Sequence, residues 1–112
     1  MELRNSIVSE LRNLVHELVI GRYQQLEVDG RAGRLTANEL KKAITRYSVH
    51  LLDLPDEAFA LAHVYRIEEG DTWMIDLPLW TVEEGRSDLT LQVTSTFDGE
   101  RWKVAIDDLH VM

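Results

Sequence analysis

The fold is decided by residues 87–111, which read SDLTLQVTSTFDGERWKVAIDDLHV. Apolar and polar side chains alternate over residues 89–97, which is the period of a half-buried β-strand. Asp98-Gly99 suits the two-residue turn of a β-hairpin, because glycine, and to a lesser degree aspartate, tolerates positive φ. In the register that this turn predicts, Val104 lies opposite Val93, and both strands are apolar on the same face. The stretch therefore predicts a long hairpin with one buried side.

The apolar phase of the returning strand changes near its end. Apolar side chains stand at even positions up to Ile106 and at odd positions at Leu109 and Val111. A β-bulge at Asp107-Asp108 restores the phase, because one extra residue turns the following side chains to the other face. We therefore expect Leu109 and Val111 on the core side.

Two helices are predicted before the sheet. An apolar stripe at steps of three and four predicts the first from Leu3 to Ile20. Thr36 opens the second, which runs to Tyr47, and Glu39 stands at the spacing of a capping box. Shorter helical turns are expected at Tyr23 to Leu26 and at Pro55 to Phe59, while residues 49–52 read as a short strand or as a crossing loop.

Two further strands are predicted, from Leu61 to Ile67 and from Thr72 to Val82. Trp80 is out of phase with the core side of the second of these, and Pro78 removes a ladder donor nearby, which suits a sheet edge or a bend. The prediction is one α+β domain over residues 1–112, with two N-terminal helices packed on one face of a four-stranded antiparallel meander.

Composition indicates a soluble globular protein of the cytoplasm. The 112 residues are 45% hydrophobic and 29% charged, which argues against disorder. There is no cysteine, so disulfides and thiolate metal sites are excluded, and no apolar run reaches the length of a membrane span. No cofactor is expected.

The formal net charge of −8 is unevenly distributed. Residues 1–65 hold nine acidic and eight basic side chains, a net of −1, and residues 66–112 hold eleven and four, a net of −7. Because an acidic field repels phosphate groups, binding to nucleic acid or to membranes is disfavoured and a basic protein partner is favoured. The alternative is that the acids serve solubility alone.

Several segments resemble a small bacterial family of uncharacterised proteins. The resemblance lies in residues 79–91, which read LWTVEEGRSDLTL, in the ending IDDLHVM of residues 106–112, and in residues 23–33 and 35–47. It implies no activity. The order of the elements also resembles the cystatin-like and NTF2-like folds, which host enzymes, ligand binders and interaction modules alike.

Asp108 and His110 are the candidate catalytic residues. They stand two apart in a predicted strand and so project from the same face, where an aspartate can orient a histidine as a general base. The predicted register sets Asp108 opposite Leu89, beyond the apolar row. No nucleophile accompanies the pair, and a structural hydrogen bond is the alternative.

Metal and phosphate sites are not predicted. The four histidines lie in different predicted elements without ligand spacing, and His16 and His63 read as partly buried residues at the core edge. The two glycines of residues 29–33 lack the strand and the lysine of a phosphate-binding loop.

Six residues are the candidate binding surface. They combine an aromatic anchor with nearby charges, which is the composition of a binding hot spot. We expect Arg86 to be structural, pairing with Asp88, Asp107 or another carboxylate. The six are Trp80, Glu83, Glu84, Arg86, Asp88 and Asp107.

Two functions remain open from the sequence. The preferred hypothesis is a non-enzymatic interaction protein, of the immunity or antitoxin type, that inhibits a basic partner. The alternative is an NTF2-like protein that binds or turns over a small molecule in a cavity between the first helix and the sheet, with Asp108 and His110 at its mouth. A homodimer built around Trp80 is compatible with either.

Overall fold

A computed structural model describes residues 5–47, 50–66 and 72–111. The predicted helix start at Leu3, the predicted strand end at Ile67 and the turn that follows it lie outside these ranges. The helices in these ranges are α1 (Asn5–Val19), α2 (Tyr23–Val28), α3 (Ala37–Tyr47) and α4 (Asp56–Ala60). The strands are β1 (Leu51–Leu52), β2 (His63–Arg66), β3 (Thr72–Thr81), β4 (Gly85–Phe97) and β5 (Trp102–Val111).

The helices form where the sequence predicts them. The predicted stripe of α1 is its buried face, from Ile7 to Leu18. The capping box at α3 is confirmed: the Glu39 N–H donates to Thr36 Oγ1 and the Thr36 N–H to Glu39 Oε1, both at 3.1 Å. None of the helices in the described ranges combines the length and the apolarity needed to cross a membrane.

The sheet is antiparallel, in the order β1-β3-β4-β5, and β2 also pairs with β3. The described ranges thus hold five strands rather than the predicted four, because Leu51–Leu52 pairs with the end of β3. Buried side chains from α1, α2, α3, β3, β4 and β5 belong to one core, so the helices cover one face of the sheet. The α+β class is confirmed.

The register of the β4–β5 hairpin differs from the prediction by two residues. Val93 pairs with Ile106, and Val104 pairs with Ser95. The connection is longer than predicted because the Asp98 carboxylate accepts the N–H groups of Glu100 and Arg101, each at 2.9 Å. The residue pair nearest the turn is therefore Phe97 with Trp102. Since a shift of two keeps every side chain on its face, both valines remain buried.

The predicted bulge in β5 is confirmed. Gln92 pairs with Asp108 and Val93 with Ile106, so Asp107 is the extra residue. Leu109 returns to the core and is 7% exposed. Val111 pairs with the buried Leu89 and therefore lies on the core side, as predicted, but at the end of the strand it is 55% exposed.

Pro78 does not lie in an edge strand. Strand β3 pairs with β4 on one side and with both β1 and β2 on the other. The pairing with β2 ends at Asp76 and that with β1 begins at Trp80, so Pro78 falls in a gap between the two. A proline fits there because no neighbouring strand needs its missing N–H.

The loop of residues 29–33 lies against the outer edge of β5. The Ile106 N–H donates to the Arg31 carbonyl at 2.7 Å. Gly33, at φ +61, comes so close that a Cβ built on it would lie 2.2 Å from the Ile106 carbonyl oxygen. The Arg31 guanidinium pairs with Glu17 of α1 and, at 2.6 Å, with Asp29. The loop therefore joins α1 to the edge of the sheet.

The hairpin turn is expected to lose stability in acid. N–H groups of Arg101 and Glu100, and then Lys103, lower the pKa of Asp98 from 3.8 to about 2. Because the folded pKa is depressed, the ionised carboxylate stabilises the fold above about pH 4, and this contribution is lost as the pH falls toward about 2. We expect the urea midpoints of wild type and Asp98→Asn to differ near neutrality and to converge over that range. A difference that stays constant down to about pH 2 would contradict this role.

Candidate functional site

The face of the sheet turned away from the helices, called the outer face below, carries a row of polar side chains. His63 pairs with Asp76, Asp76 with Gln92, and Gln92 with Asp108. Because directly paired residues project from the same face, these four side chains cross β2, β3, β4 and β5 in a line. We call them the polar row.

Hydrogen bonds hold the Asp76 carboxylate at the centre of this row. Gln92 Nε2 donates to Asp76 Oδ1 at 3.1 Å, and the Tyr65 hydroxyl donates to Asp76 Oδ2 at 3.0 Å. The same hydroxyl lies 3.0 Å from His63 Nδ1. The hydrogen bond to Asp76 is the main reason that the pKa of Tyr65 is raised. Neutral donors thus orient the carboxylate.

The structure brings Asp108 and His110 together. Asp108 Oδ2 lies 3.3 Å from His110 Nδ1, and both side chains are partly exposed. Asp108 lies opposite Gln92 rather than opposite Leu89. Asp108 Oδ1 also accepts the N–H of Leu109 at 2.9 Å. The carboxylate therefore satisfies a backbone donor beside the bulge, which is the structural alternative to catalysis.

The space that an NTF2-like pocket needs is filled at its centre. Leu11 and Val15 of α1 and Trp102 and Val104 of β5 are all buried in the common core. Asp108, paired with Gln92, faces away from this space. The pair with His110 therefore does not line a cavity between α1 and the sheet.

Glu83 and Glu84 stabilise the turn between β3 and β4. Glu84 accepts hydrogen bonds from Thr81, Ser87 and Tyr47, of which the bond from Ser87 contributes most to its lowered pKa. Glu83 accepts the N–H of His50 at 2.9 Å, and this bond is the largest cause of its lowered pKa. The two acids tie the turn to the end of α3 and to the segment before β1.

The remaining charged candidates do not form one cluster. Arg86 is exposed and forms no ion pair within the described residues, so the predicted pairing with Asp88 or Asp107 was wrong. Asp107 accepts the Thr94 hydroxyl at the bulge. The bulge faces residues 92–93 of β4, about 20 Å along the strand from Arg86.

Trp80 lies in a second row of the outer face. It pairs with Leu52 on one side and with Arg86 on the other. Leu52 is 40% exposed, Trp80 is half-buried, and the half-buried Pro78 precedes them on the same side of β3. We call Leu52, Pro78 and Trp80 the Trp80 patch. Trp80 packs in part against the core, and the part of the patch that reaches the surface is apolar with charged residues beside it.

Three of the four histidines are exposed, and the fourth, His110, is partly buried. His16 is exposed and its Nδ1 lies 2.9 Å from Asp53 Oδ1, while His63 is exposed in the polar row, so neither is the core-edge residue that we expected. His50 Nδ1 lies 2.6 Å from Glu83 Oε2. Among the residues that the structure describes, no group of three or more metal-ligating side chains is placed to hold an ion.

Sequence reasoning missed the centre of the polar row. In the sequence Asp76 alternates with the core positions of its strand, as Trp80 does, but nothing in the pattern of that strand connects it with His63, Tyr65 or Gln92. The sequence did contain a signal. His63 and Tyr65 fall on the same side of one predicted strand, and Gln92 is on the polar side of another. Only the pairing of β2 with β3 and of β3 with β4 brings them together.

Residues 15–112 match a family model described as a domain of unknown function, DUF7668. The chain belongs to this family. The match spans all five described strands, which confirms the expectation of an uncharacterised family. Searches of curated proteins and of solved structures found no match.

Proposed function

We propose that this protein is a non-enzymatic interaction domain of the bacterial cytoplasm that binds a partner with a basic surface, in the manner of an immunity- or antitoxin-like inhibitor. The supporting observation is the Trp80 patch: an apolar surface on the face that the helices leave uncovered. Leu52 and Trp80 are cross-strand neighbours there, and Arg86 continues their row. An aromatic anchor with charged residues at its rim is the usual composition of a binding hot spot.

Charge favours a basic partner over an acidic one. The chain carries 20 acidic and 12 basic side chains. The outer face bears Asp76 and Asp108, and Asp88 lies beside Asp76 in the wall of a shared groove. Such a field raises the association rate of a positively charged protein and rejects nucleic acid and anionic lipid. Glu83 and Glu84 contribute to this field even though their hydrogen bonds are internal.

The alternative, a small-molecule pocket protein, has less support. Leu11, Val15, Trp102 and Val104 are buried in the common core, and Asp108 and His110 do not line the cleft of about 590 Å³ that α1 forms with β5 and residues 29–31. The cystatin-like or NTF2-like fold stays a prediction. A homodimer around Trp80 also stays a prediction, and charge opposes it, because a symmetric contact brings the acids of one copy near those of the other.

The Trp80 patch is expected to carry partner binding. Proteins of the native host would be captured separately with four forms of the protein: wild type, Trp80→Ala, Asp88→Lys and Glu100→Lys. We expect one basic protein to be retained by wild type and by Glu100→Lys and to be lost by the other two variants. Glu100→Lys is the matched control, because it makes the same charge change in the hairpin turn, about 35 Å along β4 from the patch.

The association rate of the purified pair supplies the second readout. We expect it to fall about tenfold between low and physiological salt if the acidic field steers the encounter. Identical partner lists for all four proteins, the absence of any partner, or a rate independent of salt would refute the proposal. Circular dichroism would first establish that each variant is folded.

A further inference from the structure

The gap between β1 and β2 opens a groove on the outer face. The groove has a volume of about 350 Å³, and Leu61 and Pro78 supply apolar wall. Asp76, Thr90 and Asp88 supply polar wall. The groove exists because the pairing with β2 ends at Asp76 and that with β1 begins only at Trp80. It adjoins the Trp80 patch through Pro78.

Asp76 presents a negative charge to this groove that no cation within the described residues neutralises. Its two oxygens accept hydrogen bonds from Gln92 and Tyr65, which are neutral donors. A carboxylate offers about four lone-pair sites, so each oxygen can accept one more bond. The two donors therefore orient the Asp76 carboxylate, and its negative charge and one acceptor site on each oxygen remain available.

We infer that the groove receives a lysine or arginine side chain of the basic partner, with the cation at Asp76 and the aliphatic stem along Pro78 and Leu61. This inference rests on the proposed function and specifies how the partner is held. The long basic side chains suit such a site because they bury their methylene groups while the charged head keeps its polar contacts.

Two charged neighbours decide the direction in which the side chain lies. Asp88 is a second carboxylate in the wall, and it forms no ion pair among the described residues. Arg86 lines the groove on the Trp80 side and repels a cation there. The head group is therefore directed toward Asp76, and the stem toward the Trp80 patch.

A blocked amino acid can test the groove without the partner. The probe is N-acetyl-arginine amide, and N-acetyl-citrulline amide is the neutral control of nearly the same shape. We expect the arginine probe, titrated into ¹⁵N-labelled protein at low salt, to shift the amide signals of His63, Asp76 and Thr90 saturably. An affinity in the millimolar range is expected for so small a ligand. Citrulline should leave these signals unchanged.

Variants separate Asp76 from the general acidity of the protein. Asp76→Asn should weaken the arginine probe about fivefold or more, because it removes the charge and keeps the shape. Asp107→Asn is the matched control, because it makes the same change at the bulge of β5, outside the groove. It should leave the affinity unchanged.

Three results would overturn the inference: no saturable shift, equal shifts with citrulline, or equal weakening by Asp76→Asn and Asp107→Asn. The comparison of the two probes uses wild-type protein, so it decides the matter even if a variant misfolds. If a basic partner is captured through the Trp80 patch while the arginine probe does not bind, only the groove assignment fails. If no partner exists, the proposed function fails.

Discussion

Gly33→Ala is expected to lower the free energy of unfolding by about 3 kcal/mol. Gly33 adopts φ +61, and a left-handed backbone costs an alanine about 1–2 kcal/mol. The new Cβ also meets the Ile106 carbonyl oxygen at 2.2 Å, a contact with backbone that cannot rotate away. The loop must withdraw, which breaks the bond between the Ile106 N–H and the Arg31 carbonyl.

Gly30→Ala is the matched control for that prediction. Gly30 lies three positions earlier in the same loop at φ +79, and a Cβ there meets nothing within 4 Å. It therefore incurs the backbone cost alone, about 1–2 kcal/mol. Urea unfolding of the two variants and wild type measures both losses. Equal losses would mean that the loop is not held against β5 as the structure shows.

Two buried serines of β4 are expected to respond to alanine in opposite directions. Ser95 is fully buried, and its hydroxyl has no hydrogen-bond partner among the described residues. Ser95→Ala removes this unsatisfied group and should stabilise the fold by about 1 kcal/mol. Ser87 is also buried, but its hydroxyl donates to Glu84 at 2.8 Å and accepts the Leu89 N–H at 3.0 Å. Ser87→Ala should therefore cost about 1–2 kcal/mol.

Thermal and urea unfolding of the two serine variants would measure the difference, about 2–3 kcal/mol in all. Because both substitutions remove one oxygen from the same strand, changes in β-propensity largely cancel. If both variants lose stability to a similar extent, then Ser95 makes a hydrogen bond in solution and the packing around it differs from that described.

Local patterns predicted much of the fold. The stripe of α1, the capping box at Thr36 and the bulge at Asp107 each depend on residues within a few positions of one another. The hairpin register was missed by two residues because Asp98 can stand inside a tight turn or cap a longer one. Its sequence neighbours do not decide between the two, whereas its bonds to the N–H groups of Glu100 and Arg101 do.

The candidate site was less accessible to sequence reasoning because it depends on contacts between distant segments. Pro78 indicated an irregularity in β3, but not that two separate strands pair on either side of it. The glycines of residues 29–33 indicated a loop, but nothing near Gly33 in the chain points to Ile106 as its neighbour. The acids of the β3–β4 turn read as a docking surface because their partners, His50 and Tyr47, come from earlier elements.

Both edges of the sheet are interrupted, and this limits strand pairing between molecules at high protein concentration. Within residues 50–66, one edge consists of β1 and β2, which are short and separate. The other is β5, where the Asp107 bulge and the Arg31 carbonyl break the row of free amides. A strand of another molecule could therefore pair with either edge of the sheet over only a few residues. The folded protein is thus protected against edge-to-edge association of its sheets, even though its Trp80 patch lies on a face that the helices leave uncovered.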